Sequence, residues 1–461
     1  MSLAGAIVFA LWFPLLPTYQ QAPPLDIRSF APSALNGLAY AVLVCLLFAL
    51  NGLAAWQVRL QKRPFSLKQL CGTAVLLGLP YLFIYPINAN DIYRYVIRGR
   101  ITSFYAQNPF LIPPTAFPND PFTPLAGEWA SVTTPYGPLW ELAAGGLTLI
   151  SGDNLWLGLL LFKLLGLLTL IGTAVLVWLL SQSSVTPKRF AIPLLWAWNP
   201  ALLLTFVGDG HNDGLMIFLL LLGYFSIQRG RKLLGFWIMV LAALVKPIAL
   251  LVLPIFFLAL LRGAGNGRQK LRFVLLSSFG SLLLLWLSFL PFASPFLLIE
   301  RLIHEAAAGA GFSITTFVYF GLQTIGLPLS IALIGQISLL LFALVLLVLL
   351  WLTWRGRAAE RGAADIFAAY ILQALNFRIW YAVWPYPWLL VDGLREATAA
   401  AGYRLRIGWW FLLTTQLSVV IYGHLRLFAL GGSHHWAHLI GVPITFGLPF
   451  LLAKWSPRIV V

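Results

Sequence analysis

The sequence predicts an all-α, polytopic helical membrane protein, and three observations carry that prediction. The 461 residues are 60% hydrophobic and only 10% charged, with a mean hydropathy of +0.87. A soluble domain is nearer half apolar and a quarter charged. Apolar runs such as Leu155 to Leu180 and Ile331 to Leu350 match the roughly 20 residues that a helix needs to cross a hydrocarbon core of about 30 Å. Lys and Arg gather in small clusters between such runs, which is how a chain sets its orientation in a bilayer. Inside lipid the backbone must pair with itself, so the runs are helices.

The net charge of +16 does not point to nucleic acid, because no soluble segment carries a basic patch interleaved with aromatic rings. Cys45 and Cys71 lie in or beside apolar runs and form neither a disulfide framework nor a metal spacing. The apolar stretch Leu3 to Pro17 lacks a basic start and a small-residue cleavage site, so it reads as a retained first span.

Seven basic clusters divide the chain: Arg59–Lys68, Lys188–Arg189, Arg229–Lys232, Arg262–Arg272, Arg355–Arg361, Arg395–Arg406 and Lys454 with Arg458. Placing them in the cytoplasm sends the intervening loops outside. Ten of the 14 acids then fall in or beside outer loops: Asp26, Asp91, Asp120, Glu128, Glu141, Asp153, Asp209, Asp213, Glu300 and Glu305. Acids contribute little to orientation, so an outward-facing polar site is the expected cause. The same alternation makes Gly137–Ile150 and Ser313–Leu329 half-inserted or interfacial helices. About 12–14 transmembrane helices remain, with both termini cytoplasmic. Kinks at Lys246-Pro247 and Trp384-Pro385 blur the count.

Residues 1–461 read as a single transmembrane domain. Its non-membrane parts are a large outer loop with interfacial helices (88–136), a polar outer hairpin (208–214) and a second outer segment (292–330).

The candidate site begins at Asn90-Asp91-Ile92-Tyr93-Arg94-Tyr95, followed by Arg98-Gly99-Arg100. Asp91 heads the outer loop, with Arg94 and Arg98 on its helical face. The bland alternative is a helix cap with snorkelling arginines. Asn108-Pro109-Phe110 and Thr134-Pro135-Tyr136-Gly137-Pro138-Leu139 read as turns. Gly208-Asp209-Gly210-His211-Asn212-Asp213-Gly214 is far more polar than a hairpin between two spans needs. Its Asp209, His211 and Asp213 are the ligands if a divalent metal is needed; no cofactor is otherwise implied. Lys246-Pro247 puts a cation in a broken span, and Arg378 in Asn376-Phe377-Arg378-Ile379-Trp380-Tyr381 suits bidentate phosphate binding. Weaker candidates are Glu300-Arg301 with His304-Glu305, and His434-His435 with His438.

Taken in order, Asp91-Ile92-Tyr93, Asn108-Pro109-Phe110, Tyr136-Gly137-Pro138-Leu139, His211-Asn212-Asp213-Gly214, Lys246-Pro247 and Trp380-Tyr381 resemble the GT-C membrane glycosyltransferases. Within them the pattern is most similar to the polyprenol-phosphate-mannose-dependent α-1,6-mannosyltransferases of cell envelopes, over residues 85 to 390. The resemblance implies an inverting transfer of mannose or another hexose from a polyprenyl-phosphate donor to a lipid- or glycan-linked hydroxyl. It places the site on the outer face of a prokaryotic cytoplasmic membrane, with Asp91 as the catalytic aspartate and general base. Lys246, Arg378, Arg94 and Arg98 would then hold the donor phosphate. Asp209, His211, Asn212, Asp213, Tyr136, Trp380 and Tyr381 would meet sugar or acceptor. The run Tyr93-Arg94-Tyr95 departs from relatives with Phe or Val and fewer arginines, which leaves sugar and acceptor open. Two other classes compete: a secondary transporter with an Asp/His relay, and a non-catalytic lipid-binding protein.

Overall fold

The computed structural model describes residues 1–461 except 23, 62–65, 185–186, 308–310, 328, 397 and 457–461, and the side chains of 61, 187–188 and 304–307. Lys62, Arg63 and Arg458 of the basic clusters, and the side chains of Lys188, His304 and Glu305, therefore lie outside the described residues. The described residues are almost all helix and turn, without a strand; an isolated bridge joins Pro14 and Ile84.

Among the described residues, six helices are long and apolar enough to cross a membrane: Ala34–Leu60, Leu155–Gln182, Gly267–Phe292, Ile331–Trp354, Ala399–Phe428 and His434–Trp455. The pair Ile192–Gly208 and Asp213–Gln228, bent by 118°, makes a seventh if it is one span. Ser2–Trp12, Leu67–Phe83, Lys232–Val245 and Pro247–Arg262 are shorter apolar helices. The protein is thus an integral membrane protein of the expected all-α class, but among the described residues six or seven helices meet the length test, against the 12–14 expected. Proline supplies the reason. It removes a donor and collides with the preceding turn, so Pro80, Pro200 and Pro247 fall where apolar runs pass into short tight-turn or π-type segments.

Lys246 shows the effect in detail. Pro247 disfavours helical backbone at the residue before it. Lys246 is accordingly extended, with φ −144 and ψ 117, at the C-terminal end of Lys232–Val245. A cation is favoured there by the helix dipole.

The helix Asp91–Ser103 does not lie on the surface with snorkelling arginines. Residues 91–101 are buried on every face. Gly99 makes this possible: a Cβ there would sit 2.5 Å from the Ala144 carbonyl oxygen. Its absence lets the backbone of Pro138–Ser151 approach directly, and the two helices bury each other's polar side chains.

Candidate active site

Two acids occupy equivalent places. Asp91 and Asp213 are each the first residue of a helix, Asp91–Ser103 and Asp213–Gln228. An acid is stabilised at that end by the helix dipole. Both are buried, and each meets a cation. Asp91 Oδ2 lies 2.8 Å from an Arg94 guanidinium nitrogen. Asp213 Oδ2 lies 2.7 Å from Lys246 Nζ.

The two ion pairs are joined through Tyr136. Its hydroxyl donates to Asp91 Oδ1 at 2.5 Å, and Lys246 Nζ lies 5.9 Å from its ring centroid. The next residue, Gly137, donates its N–H to the Val245 carbonyl at 3.0 Å. That bond ties the Tyr136 loop to the break at Lys246. On the other side, Trp384 Nε1 donates to Asp213 Oδ1 at 2.5 Å. Its ring lies 5.8 Å from Lys246 Nζ and stacks on Tyr381 at 4.1 Å. Trp380 lies 4.3 Å from the His211 ring, and His211 Nδ1 is 3.5 Å from Asp213 Oδ2. Asp91, Arg94, Tyr136, His211, Asp213, Lys246, Trp380, Tyr381 and Trp384 thus form one chain of contacts.

Asp91 is strongly acidic for a buried group. Burial pushes its carboxyl up, but the charges of Arg94, then His211, the Tyr136 hydrogen bond and Lys246 outweigh it. They hold it well below the usual carboxylate range. Polar groups around it remain unspent. Both ring nitrogens of His211, both side-chain polar atoms of Asn212, and Nε and Nη1 of Arg98 are buried and make no hydrogen bond among the described residues. Leaving each such group unpaired costs about 1–3 kcal/mol, so the cluster is built to receive a polar ligand.

Other expected residues stand apart. Arg98 donates to the carbonyls of Val132 and Thr133, each at 3.3 Å, so it braces the loop before Tyr136. Asp209 faces away from Asp213: its Oδ1 accepts the Asn88 N–H at 3.3 Å, and its charge meets that of Lys163. The set Asp209, His211 and Asp213 therefore does not converge, and no group of three His, Cys, Asp or Glu among the described residues is placed to hold a metal. Arg378 forms no ion pair among the described residues, and its charge bears on Tyr422. Arg301 donates to the Thr133 carbonyl at 3.2 Å. The three histidines also diverge: His434 meets Tyr422, His435 meets Thr324, and His438 turns to the carbonyls of His434 and Gly311.

Two residues that brace the site escape the sequence reading. Lys163, in the middle of Leu155–Gln182, is fully buried. It donates to the carbonyls of Ile84 at 2.8 Å and Val207 at 3.2 Å, and to Gly208. It thereby fixes the ends of the two segments that lead to Asp91 and to Asp209. A lone lysine in an apolar run was the available signal. Glu141, in Pro138–Ser151, accepts from the Thr134 hydroxyl at 2.6 Å. Thr134 Oγ1 in turn accepts the Tyr136 N–H at 3.2 Å. No local pattern announces this link, because Thr134 reads as a turn residue.

Comparison with known proteins decides the family. The family described as alpha-(1->6)-mannopyranosyltransferase, N-terminal domain, matches residues 4–262, more than half of the chain. The chain belongs to this family. The match takes in Asp91, Tyr136, His211, Asp213 and Lys246 and ends before Arg378, Trp380 and Trp384. Similar relatives bear the name alpha-(1->6)-mannopyranosyltransferase A. One is from Mycobacterium tuberculosis, 30% identical over 184 residues, 40% of this chain and 35% of the relative. Another is from Corynebacterium glutamicum, 28% identical over 186 residues, 40% and 37% of the two chains. The C. glutamicum alpha-(1->6)-mannopyranosyltransferase B is 26% identical over 211 residues, 44% and 34%. The alignments thus span about a third of the length of these mannopyranosyltransferases.

Proposed function

We propose that the protein is an inverting membrane glycosyltransferase. It would move a mannosyl or other hexosyl unit from a polyprenyl-phosphate donor to a lipid- or glycan-linked hydroxyl, on the outer face of the cytoplasmic membrane of a prokaryote. The observation that carries this reading is the Tyr136-bridged cluster, in which two buried carboxylates, Asp91 and Asp213, pair with Arg94 and Lys246 beside unsatisfied polar atoms. The family supports the sugar class, and the basic clusters between spans support the outward orientation with both termini inside.

In this reading Asp91 takes the proton of the acceptor hydroxyl as its oxygen bonds to the sugar's anomeric carbon. The bond from that carbon to the phosphate oxygen breaks on the opposite face, and the polyprenyl phosphate leaves with both electrons. Lys246 and Arg94 stabilise the phosphate charge. Asp213 and Trp384 hold Lys246, while His211 and Asn212 meet sugar or acceptor hydroxyls. A general base works best with a pKa near the working pH, and Asp91 alone is too acidic. Donor phosphate beside Lys246 and Arg94 would offset the positive charge that keeps Asp91 acidic, and so make it basic only when a donor is bound.

The test uses purified protein, a polyprenyl-phosphate hexose and a glycan or glycolipid acceptor. Transfer with inversion is expected, and Asp91→Asn should lack it. Full transfer by Asp91→Asn refutes the base. A wild-type protein that transfers nothing, yet carries solute into proteoliposomes, refutes the class in favour of a transporter.

A further inference from the structure

We propose a second carbohydrate subsite, remote from the reacting hydroxyl, in the cavity lined by Tyr19, Gln20, Phe122, Asp153 and Asn154. It would hold a distal sugar of a glycan acceptor, and so it rests on the transferase reading above.

The cavity has a volume of about 490 Å³, within the roughly 300–1,000 Å³ of small-molecule sites. Its composition suits a sugar. A sugar ring offers a C–H face to aromatic rings and hydroxyl edges to carboxylates and amides. Tyr19 and Phe122 supply rings, Asp153 an acceptor, and Gln20 and Asn154 amides.

Its groups are pre-positioned. The Tyr19 ring packs edge-on against Trp156 at 5.6 Å, and its hydroxyl accepts from Gln20 Nε2 at 3.0 Å. Asn154 Oδ1 accepts the Leu157 N–H at 3.0 Å, and Arg100 holds Asp153 and Phe122. Its guanidinium pairs with buried Asp120 at 2.8 Å and with Asp153 Oδ1 at 2.9 Å, and it lies 4.8 Å from the Phe122 ring centroid. The Asp153 side chain is nonetheless 76% exposed. Its second oxygen is therefore fixed in orientation and open to a ligand.

Arg100 also sets the distance from the chemistry. It stands nine residues after Asp91 on one helix, and at about 1.5 Å per residue the separation is roughly 13 Å. A single acceptor sugar whose hydroxyl reacts beside Asp91 cannot span that distance; a longer glycan can. All the lining segments also fall in loops that the basic clusters place on the outer side with Asp91.

The experiment follows transfer by the full-length protein to α-linked manno-oligosaccharides of increasing length, from the disaccharide to the tetrasaccharide. KM should fall with length in the wild type. Tyr19→Ala should raise KM for the tetrasaccharide by roughly tenfold, the worth of one aromatic contact, and Gln20→Ala by about fivefold, the worth of one hydrogen bond, while both leave the disaccharide within twofold. No length dependence in the wild type, or an undiminished one in Tyr19→Ala, overturns the subsite while the transferase reading stands. If no acceptor is used, saturation-transfer NMR of the tetrasaccharide with the same protein decides. A signal that Tyr19→Ala abolishes supports the subsite although the transferase reading has failed. No signal, or one reproduced only by glycerophosphoethanolamine, overturns it.

Discussion

The buried pair of Asp91 and Arg94 allows catalysis to be separated from folding. Their side chains are 4% and 10% exposed, with a 2.8 Å contact. Asp91→Asn removes the negative charge and strands Arg94 in the interior. Breaking such a pair from one side costs about 3–5 kcal/mol, a large share of a typical stability of about 5–15 kcal/mol. Lost activity in that variant is ambiguous by itself. Arg94→Met removes the cation while its stem still covers Trp129, over which the guanidinium lies at 4.9 Å. In Asp91→Asn/Arg94→Met no unpaired charge remains from this pair, so the double variant should regain about 1–3 kcal/mol relative to the sum of the singles. Thermal unfolding in detergent measures the cycle. Transfer from a polyprenyl-phosphate hexose is assayed on the same samples, and should be down by roughly 10²–10⁴ in both Asn variants. A stable double variant that transfers at the wild-type rate would refute the base role. Strict additivity of the two stability changes would refute the coupling.

Three further outcomes follow from single residues. Lys163→Met strips the donor from the carbonyls of Ile84, Val207 and Gly208. It should cost about 3 kcal/mol or more, read as a lower unfolding midpoint; an unchanged midpoint would sink its bracing role. Lys246→Met should weaken binding of polyprenyl phosphate by roughly 10- to 100-fold, the range of a charge-assisted hydrogen bond, and Lys246→Arg should retain part of it; equal affinities would remove Lys246 from the phosphate site. Burial pushes the Glu141 carboxyl up from 4.5 to about 7, against the Thr134 hydrogen bond and the Arg98 charge. Because the folded value is the higher one, its stabilising contribution is present below about 4.5 and is lost as pH rises through about 7. The loss is on the order of 3 kcal/mol at most. Glu141→Gln should flatten that slope in an unfolding series across this range, and an identical slope would exclude Glu141 as its source.

What the sequence reveals here depends on how far apart the interacting residues lie. The helical class is legible because lipid imposes it on every apolar run, and Lys246 announces its own break through the proline that follows. Span number is less legible, since composition does not show where a run turns tight or bends by 118° at Gly208–Asp213. Within the site, Asp91 and Arg94 share one helical turn. Asp213 and Lys246, however, are 33 positions apart, and Asp213 and Trp384 171 apart. Motif chemistry can nominate Asp213 and Lys246 separately; only the fold pairs them. Asp209 and Asp213 illustrate the converse. They are neighbours in a single polar hairpin and invite a shared role, yet the turn at Gly210, with φ +69, sends them to opposite sides. A Cβ on Gly210 would meet Ile92 Cδ1 at 2.6 Å, so the hairpin packs directly against the helix that begins with Asp91. Asp209 then reaches Asn88 and the field of Lys163, and Asp213 reaches Lys246. One short hairpin thus supplies both a structural anchor and a partner for the cation beside Tyr136, which explains why it carries more charge than a turn between two spans requires.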